Sequence, residues 1–173
     1  MSRRYNASLP IAYVVLKLLV IANIFFGAAI LVLLLFMPTR EWIMSSLELS
    51  PGPQAEGIIL GMRSIAVIGI VGAAINHLIL TRLVSIVETV RSGDPFLPVN
   101  ARRIQLIAWC LLGLQMLGIA VAVIVRVINS EEHPIDIDSS ASIAGWIAVL
   151  FAFILARVFA EGSAMRDDLR GTI

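Results

Sequence analysis

The sequence predicts an all-α protein of one domain, an integral membrane four-helix bundle with its N-terminus and C-terminus both cytoplasmic. Three observations predict it. Of 173 residues, 59% are hydrophobic and only 14% charged, against roughly 45–50% and about 25% in soluble domains, so a soluble fold has too little interior to hide the apolar surface. Four apolar stretches each approach or exceed the roughly 20 residues with which a helix crosses a hydrocarbon core about 30 Å thick. Between the stretches, Lys and Arg gather on one set of connections. Lipid offers no partner to backbone N–H and C=O groups, so the stretches are read as helices. No strand-like alternation argues for a barrel.

The first span covers about 11–37, is interrupted only by Lys17, and is closed by Pro38, which cannot continue a helix comfortably. It is too long for the apolar region of a secretory signal, about 7–15 residues, and no small-residue cleavage site follows. Tyr5-Asn6-Ala7 lacks the apolar pair expected after a twin-arginine export signal at Arg3-Arg4. The second span covers about 58–80, with Arg63 one turn inside its start; the third about 104–128; and the fourth about 143–160. A loop, 81–103, and a tail, 161–173, remain on one side.

Basic residues near span ends set orientation, whereas acidic ones count for little. Arg3, Arg4 and Lys17 lie at the N-terminus, Arg82, Arg91, Arg102 and Arg103 in the middle loop, and Arg157, Arg166 and Arg170 at the far end. The opposite face has Arg40, Arg63 and Arg126. Both termini and the middle loop are therefore expected in the cytoplasm. Trp42 and Trp146 then serve as anchors at the outer interface, Trp109 at the inner one, and Thr39–Leu49 as a short interfacial helix ended by Pro51-Gly52-Pro53.

Within the spans, Lys17 and Arg63 lie close enough to an interface for their long stems to carry the charge to the headgroups. Asn23, Asn76 and Gln115 sit on otherwise apolar helices, where an unpaired amide is costly, and are expected to face other helices. Small residues recur beside them: Ala66, Gly69 and Ala73 on the second span, and Ala148, Ala152, Ala156 and Ala160 on the fourth. Such stripes let helix backbones approach. Gly57 and Gly61 form a Gly-x-x-x-Gly pattern of the kind that mediates dimers, so a homo-oligomer is open.

No catalytic, cofactor-binding or metal-ligating set is expected. Cys110 is the one cysteine, so neither a disulfide within the chain nor a cysteine-based metal site can form. His77 and His133 belong to opposite faces, about a bilayer apart. The acidic run from Glu131 to Asp138 has no EF-hand spacing and reads as a solvated connector. There is no intramembrane carboxylate pair, no Gly-x-Ser-x-Gly elbow and no His-Glu-x-x-His motif, which argues against an enzyme. A net charge of +1 is too small to point to direct nucleic-acid binding.

The middle loop is the most distinctive segment. Leu83, Ile86, Val87 and Val90 continue a helical apolar stripe past the second span, with Arg82, Glu88 and Arg91 beside it, so the second helix is expected to project from the membrane. Ser92-Gly93-Asp94-Pro95 is a turn signal, and Pro98 with Asn100 then starts the third helix, Asn100 being a suitable N-cap. Phe96 and Leu97 are apolar residues in a wet loop, suited to a staple under the turn or to a partner. An amphipathic tail, from Met165 to Ile173, should emerge beside this loop.

In Gly93, Pro95, Phe96, Asn100, Arg103 and Ile104 of the loop, and in Phe159, Glu161, Gly162, Leu169, Thr172 and Ile173 of the tail, the chain resembles the YoaS-like family of bacterial membrane proteins, a domain of unknown function. The resemblance covers nearly the whole chain. Val99 departs from it, since an acidic residue tends to precede the asparagine. The resemblance implies four membrane helices in the bacterial inner membrane, no known enzymatic activity, and, because members are often encoded beside a small helix-turn-helix regulator, a partner at the cytoplasmic surface.

Two functions follow from these readings. The first is a signalling or partner-binding module in the lipid bilayer that docks a cytoplasmic regulator through Gly93, Pro95, Phe96, Asn100, Arg103, Glu161 and Gly162. The same residues would equally serve as a clamp between loop and tail. The alternative is a small transporter or channel subunit, for which Asn23, Asn76 and Gln115 are a thin polar lining.

Overall fold

The computed structural model describes residues 5–36, 52–128 and 142–170. They form four helices: α1 (Tyr5–Leu35), α2 (Pro53–Arg91), α3 (Pro98–Ile128) and α4 (Ile143–Arg170). All four are long and apolar enough to cross a bilayer, and no strand occurs among the described residues. The chain is a multi-pass membrane protein. The expected interfacial helix with Trp42, the acidic run, His133, and Thr172 with Ile173 of the tail fall outside the described residues.

Pro53 opens α2 at its first position, where a missing N–H costs nothing and the fixed φ suits a helix. Glu56 in the first turn and Arg91 in the last complement the helix dipole. At 1.5 Å per residue, the 39 residues of α2 extend about 58 Å, nearly twice a hydrocarbon core. Past residue 80 the helix runs on without a break to Arg91, so the apolar stripe of Leu83, Ile86, Val87 and Val90 is helical.

Packing follows membrane rather than aqueous logic. Lipid tails are as apolar as leucine, so helices associate through close backbone approach and interhelical hydrogen bonds. Many large side chains accordingly point outward, Phe25 being 78% exposed, while Ala101, Ala108, Ala152 and Ala156 are buried together with aliphatic residues such as Ile58, Ile79, Leu80, Ile104 and Ile107. The helices pack in chain order, α1 on α2, α2 on α3 and α3 on α4, and among the described residues no other pair of helices meets.

Small residues make each seam. A Cβ added to Gly27 would lie 3.4 Å from that of Ala73, and one at Gly69 would lie 3.5 Å from Ile30, which places the second-span stripe against α1. Gly61 receives Ile128 of α3 so closely that an added Cβ would stand 2.7 Å from its Cγ2. That glycine therefore serves a contact within the chain, and nothing lies within 4 Å of a Cβ placed on Gly57. Trp109 and Phe153 meet edge to face, centroids 5.3 Å apart, between α3 and α4.

The intramembrane amides face other helices as expected. Asn76 Nδ2 donates to Asn23 Oδ1 at 2.9 Å, and Asn23 Nδ2 donates to the Ala73 carbonyl at 3.0 Å. Gln115 lies against Gly145, where a Cβ would fall 2.6 Å from its amide atoms. Tyr13 joins α1 to the end of α2, with Arg91 Cζ 4.9 Å and Lys17 Nζ 5.2 Å from its ring centroid; sequence reading did not single it out.

The alanine stripe on α4 needs correcting. Ala152 and Ala156 are buried, but Ala148 and Ala160 are exposed, and the buried face continues through Val149 and Ser163. A four-residue step on an α-helix turns about 40° past a full revolution, so a strict four-residue repeat drifts off any one face.

Candidate functional site

The loop between α2 and α3 and the end of α4 fold into one hydrogen-bonded unit. Its foundation is the end of α2. Gly93 adopts φ +88°, the left-handed region that glycine enters without a Cβ penalty. Its N–H donates to the Val90 carbonyl at 3.1 Å, and that of Asp94 donates to the Thr89 carbonyl at 3.0 Å. This is a Schellman closure, which satisfies carbonyls left open at a helix end.

Asn100 is the centre of the unit and is fully buried. Its Nδ2 donates to Thr89 Oγ1 at 2.7 Å and to the Pro95 carbonyl at 3.0 Å, while its Oδ1 accepts from Arg103 Nη1 at 2.9 Å. Arg103 Nη1 also donates to the Ser85 carbonyl on α2 at 3.1 Å. One amide thus ties together the end of α2, the turn and the start of α3.

The N-cap role expected for Asn100 is overturned. Pro98 occupies the first position of α3, so Asn100 is the third helical residue, and its N–H donates to the Leu97 carbonyl at 2.8 Å. Its side chain is free to reach backward to α2 because Pro98 has already started the helix.

Two contacts bring the tail to this foundation. Arg166 forms a bidentate ion pair with Asp94, with Nη2 to Oδ2 at 2.9 Å and Nη1 on Oδ1. Phe96 packs on Phe159 with centroids 5.5 Å apart. Gly162 gives Phe96 its place, because a Cβ there would stand 3.3 Å from the ring. Phe96 nevertheless remains 44% exposed.

Of the sequence-predicted residues, Gly93, Pro95, Asn100 and Arg103 therefore form one network, and Phe96 and Gly162 touch. Glu161 stands apart. Its carboxylate pairs with Arg157 one turn earlier at 2.6 Å, and both are largely exposed. Thr89, Asp94 and Arg166 were not singled out as site residues. A lone acid in the turn and two arginines in the tail, Arg166 and Arg170, were the signals available for the ion pair, but sequence does not show which arginine turns toward the loop.

A family model described as a protein of unknown function, DUF2975, matches residues 5–173. No curated protein and no solved structure matches the chain.

Proposed function

The chain belongs to the DUF2975 family, and on that premise we propose that it is a membrane-anchored signalling or binding module whose loop and tail dock a cytoplasmic regulator. The observation that carries this reading is an ordered platform at one end of the molecule that still presents apolar side chains. Phe96, Val99 and Met165 are 44%, 42% and 63% exposed, on segments fixed by the Asn100 network and the Asp94–Arg166 pair. Exposed apolar groups on a rigid scaffold suit a binding face.

The arginine distribution supports a cytoplasmic position for this end. The resemblance to proteins encoded beside a helix-turn-helix regulator suggests the partner class. On this reading the clamp and the docking face are one structure, the clamp supplying the rigidity and Phe96, Val99 and Met165 the contact.

Recruitment of a helix-turn-helix regulator encoded beside the gene to membranes containing the full-length protein tests the proposal. Phe96→Ala with Met165→Asp should abolish recruitment while helicity, followed by circular dichroism, is unchanged. Equal recruitment by the variant and the parent protein, or none by either, overturns it.

A further inference from the structure

A groove of about 400 Å³ lies between the start of α3 and the end of α4. Arg102, Gln105, Phe153, Arg157, Ala160 and Ser163 are among the residues lining it. The lining offers two guanidinium groups, one amide and one hydroxyl, and no carboxylate. The Ser163 hydroxyl is already engaged with the Ala160 carbonyl at 2.9 Å.

The groove lies at the edge of the membrane. No charged residue occurs on α3 between Arg103 and Arg126, a rise of about 33 Å, which matches the hydrocarbon thickness. Arg102 therefore stands at the boundary. Phe153, in the groove wall, packs on Trp109, and the 58% exposed Trp109 with the 62% exposed Ile154 offers apolar surface on the lipid side of the arginines.

The geometry points to a binding site for the headgroup of an anionic phospholipid, its phosphate held by Arg102 and Arg157 with Gln105 donating beside them, and its acyl chains laid over the Trp109 and Phe153 surface. Guanidinium groups match phosphate oxygens in paired hydrogen bonds, and basic pockets between membrane helices suit such headgroups. Arg157 also touches the Glu161 carboxylate. That pair is exposed, and exposed ion pairs contribute little, so a phosphate can replace it. The inference is independent of the docking face and needs only that this end meets a membrane interface.

The test is native mass spectrometry of the full-length protein extracted from vesicles of equal parts phosphatidylglycerol and phosphatidylcholine. Retention of phosphatidylglycerol should exceed that of phosphatidylcholine, and Arg102→Gln with Arg157→Gln should lower the preference by on the order of fivefold per arginine. Ala160→Phe, which keeps both charges but fills the groove, should lower retention too, whereas Arg126→Gln at the other end should not. Unchanged preference in the double arginine variant, or equal losses in the Arg126→Gln control, overturns the site. Displacement of the lipid by inorganic phosphate alone would show a free-phosphate site and overturn the lipid assignment.

Discussion

Asn100 shows what a single buried amide does when each of its groups is paired. Replacing it by alanine removes hydrogen bonds to Thr89, Pro95 and Arg103 and leaves the Arg103 guanidinium short of an acceptor. A cost of about 2–4 kcal/mol follows, since each of the three bonds is worth roughly 1 kcal/mol and a bond to a charged group somewhat more. Equilibrium unfolding in mixed detergent micelles reads it, and a change below about 0.5 kcal/mol would contradict the network, being no more than ordinary surface substitutions give. Gly93→Ala should cost about 1–2 kcal/mol in the same assay, because its φ of +88° forces a Cβ into the left-handed region. Gly162 is a different case. Alanine there gains about 1 kcal/mol of helix propensity but presses a Cβ 3.3 Å from the Phe96 ring, whereas Gly162→Leu displaces the ring outright. The glycine turn was legible in Ser92-Gly93-Asp94-Pro95, since no other residue type enters that conformation so readily. The Asn100 hub was not: Pro98 and Asn100 were both legible at the helix start, but that the amide reaches back to Thr89 and Pro95 rather than capping the helix depends on how the turn folds onto α2.

At the scale of the helices, the seams were legible in kind but not in partner. Asn23 and Asn76 announced themselves as amides in lipid, and each had to meet another helix. Their pairing with one another depends on the vertical register of α1 on α2, which Gly27 against Ala73 and Gly69 against Ile30 set, and no local pattern encodes register. A double-mutant cycle with Asn23→Val and Asn76→Val should return a coupling of about 0.6 kcal/mol, and no more than about 1.7, the range for interhelical hydrogen bonds in membranes. A coupling indistinguishable from zero would place the two amides on different seams. The α4 alanines carry the complementary lesson. Four of them at a fixed interval look like one face, yet helical geometry buries Ala152 and Ala156 with Val149 and Ser163, leaves Ala160 exposed in the open groove beside α3, and leaves Ala148 exposed.

The whole molecule is a series of neighbours rather than a closed ring. Composition and span length sufficed to read four membrane helices, because those properties answer to the solvent. The order of packing answers to which small residues face one another, and that is settled only in three dimensions. Because α1 meets α2 and no other helix among the described residues, α1 and α4 flank the layer, each with a broad apolar face such as Ile21 and Phe25 on α1 and Leu150 and Phe151 on α4. Cysteine pairs distinguish this arrangement from a closed one, in a Cys110→Ala background. Gly27→Cys with Ala73→Cys should oxidise rapidly within one chain, since the Cβ separation of 3.4 Å is close to that of a disulfide. Phe25→Cys with Phe151→Cys should not, and any crosslink it gives should appear as a dimer on a gel and fall as the protein is diluted among excess lipid. A monomeric, dilution-independent Phe25 to Phe151 crosslink would mean that α1 closes onto α4. The serial arrangement would then have to be abandoned, although the α2, α3 and α4 contacts that position the loop and tail would stand unchanged.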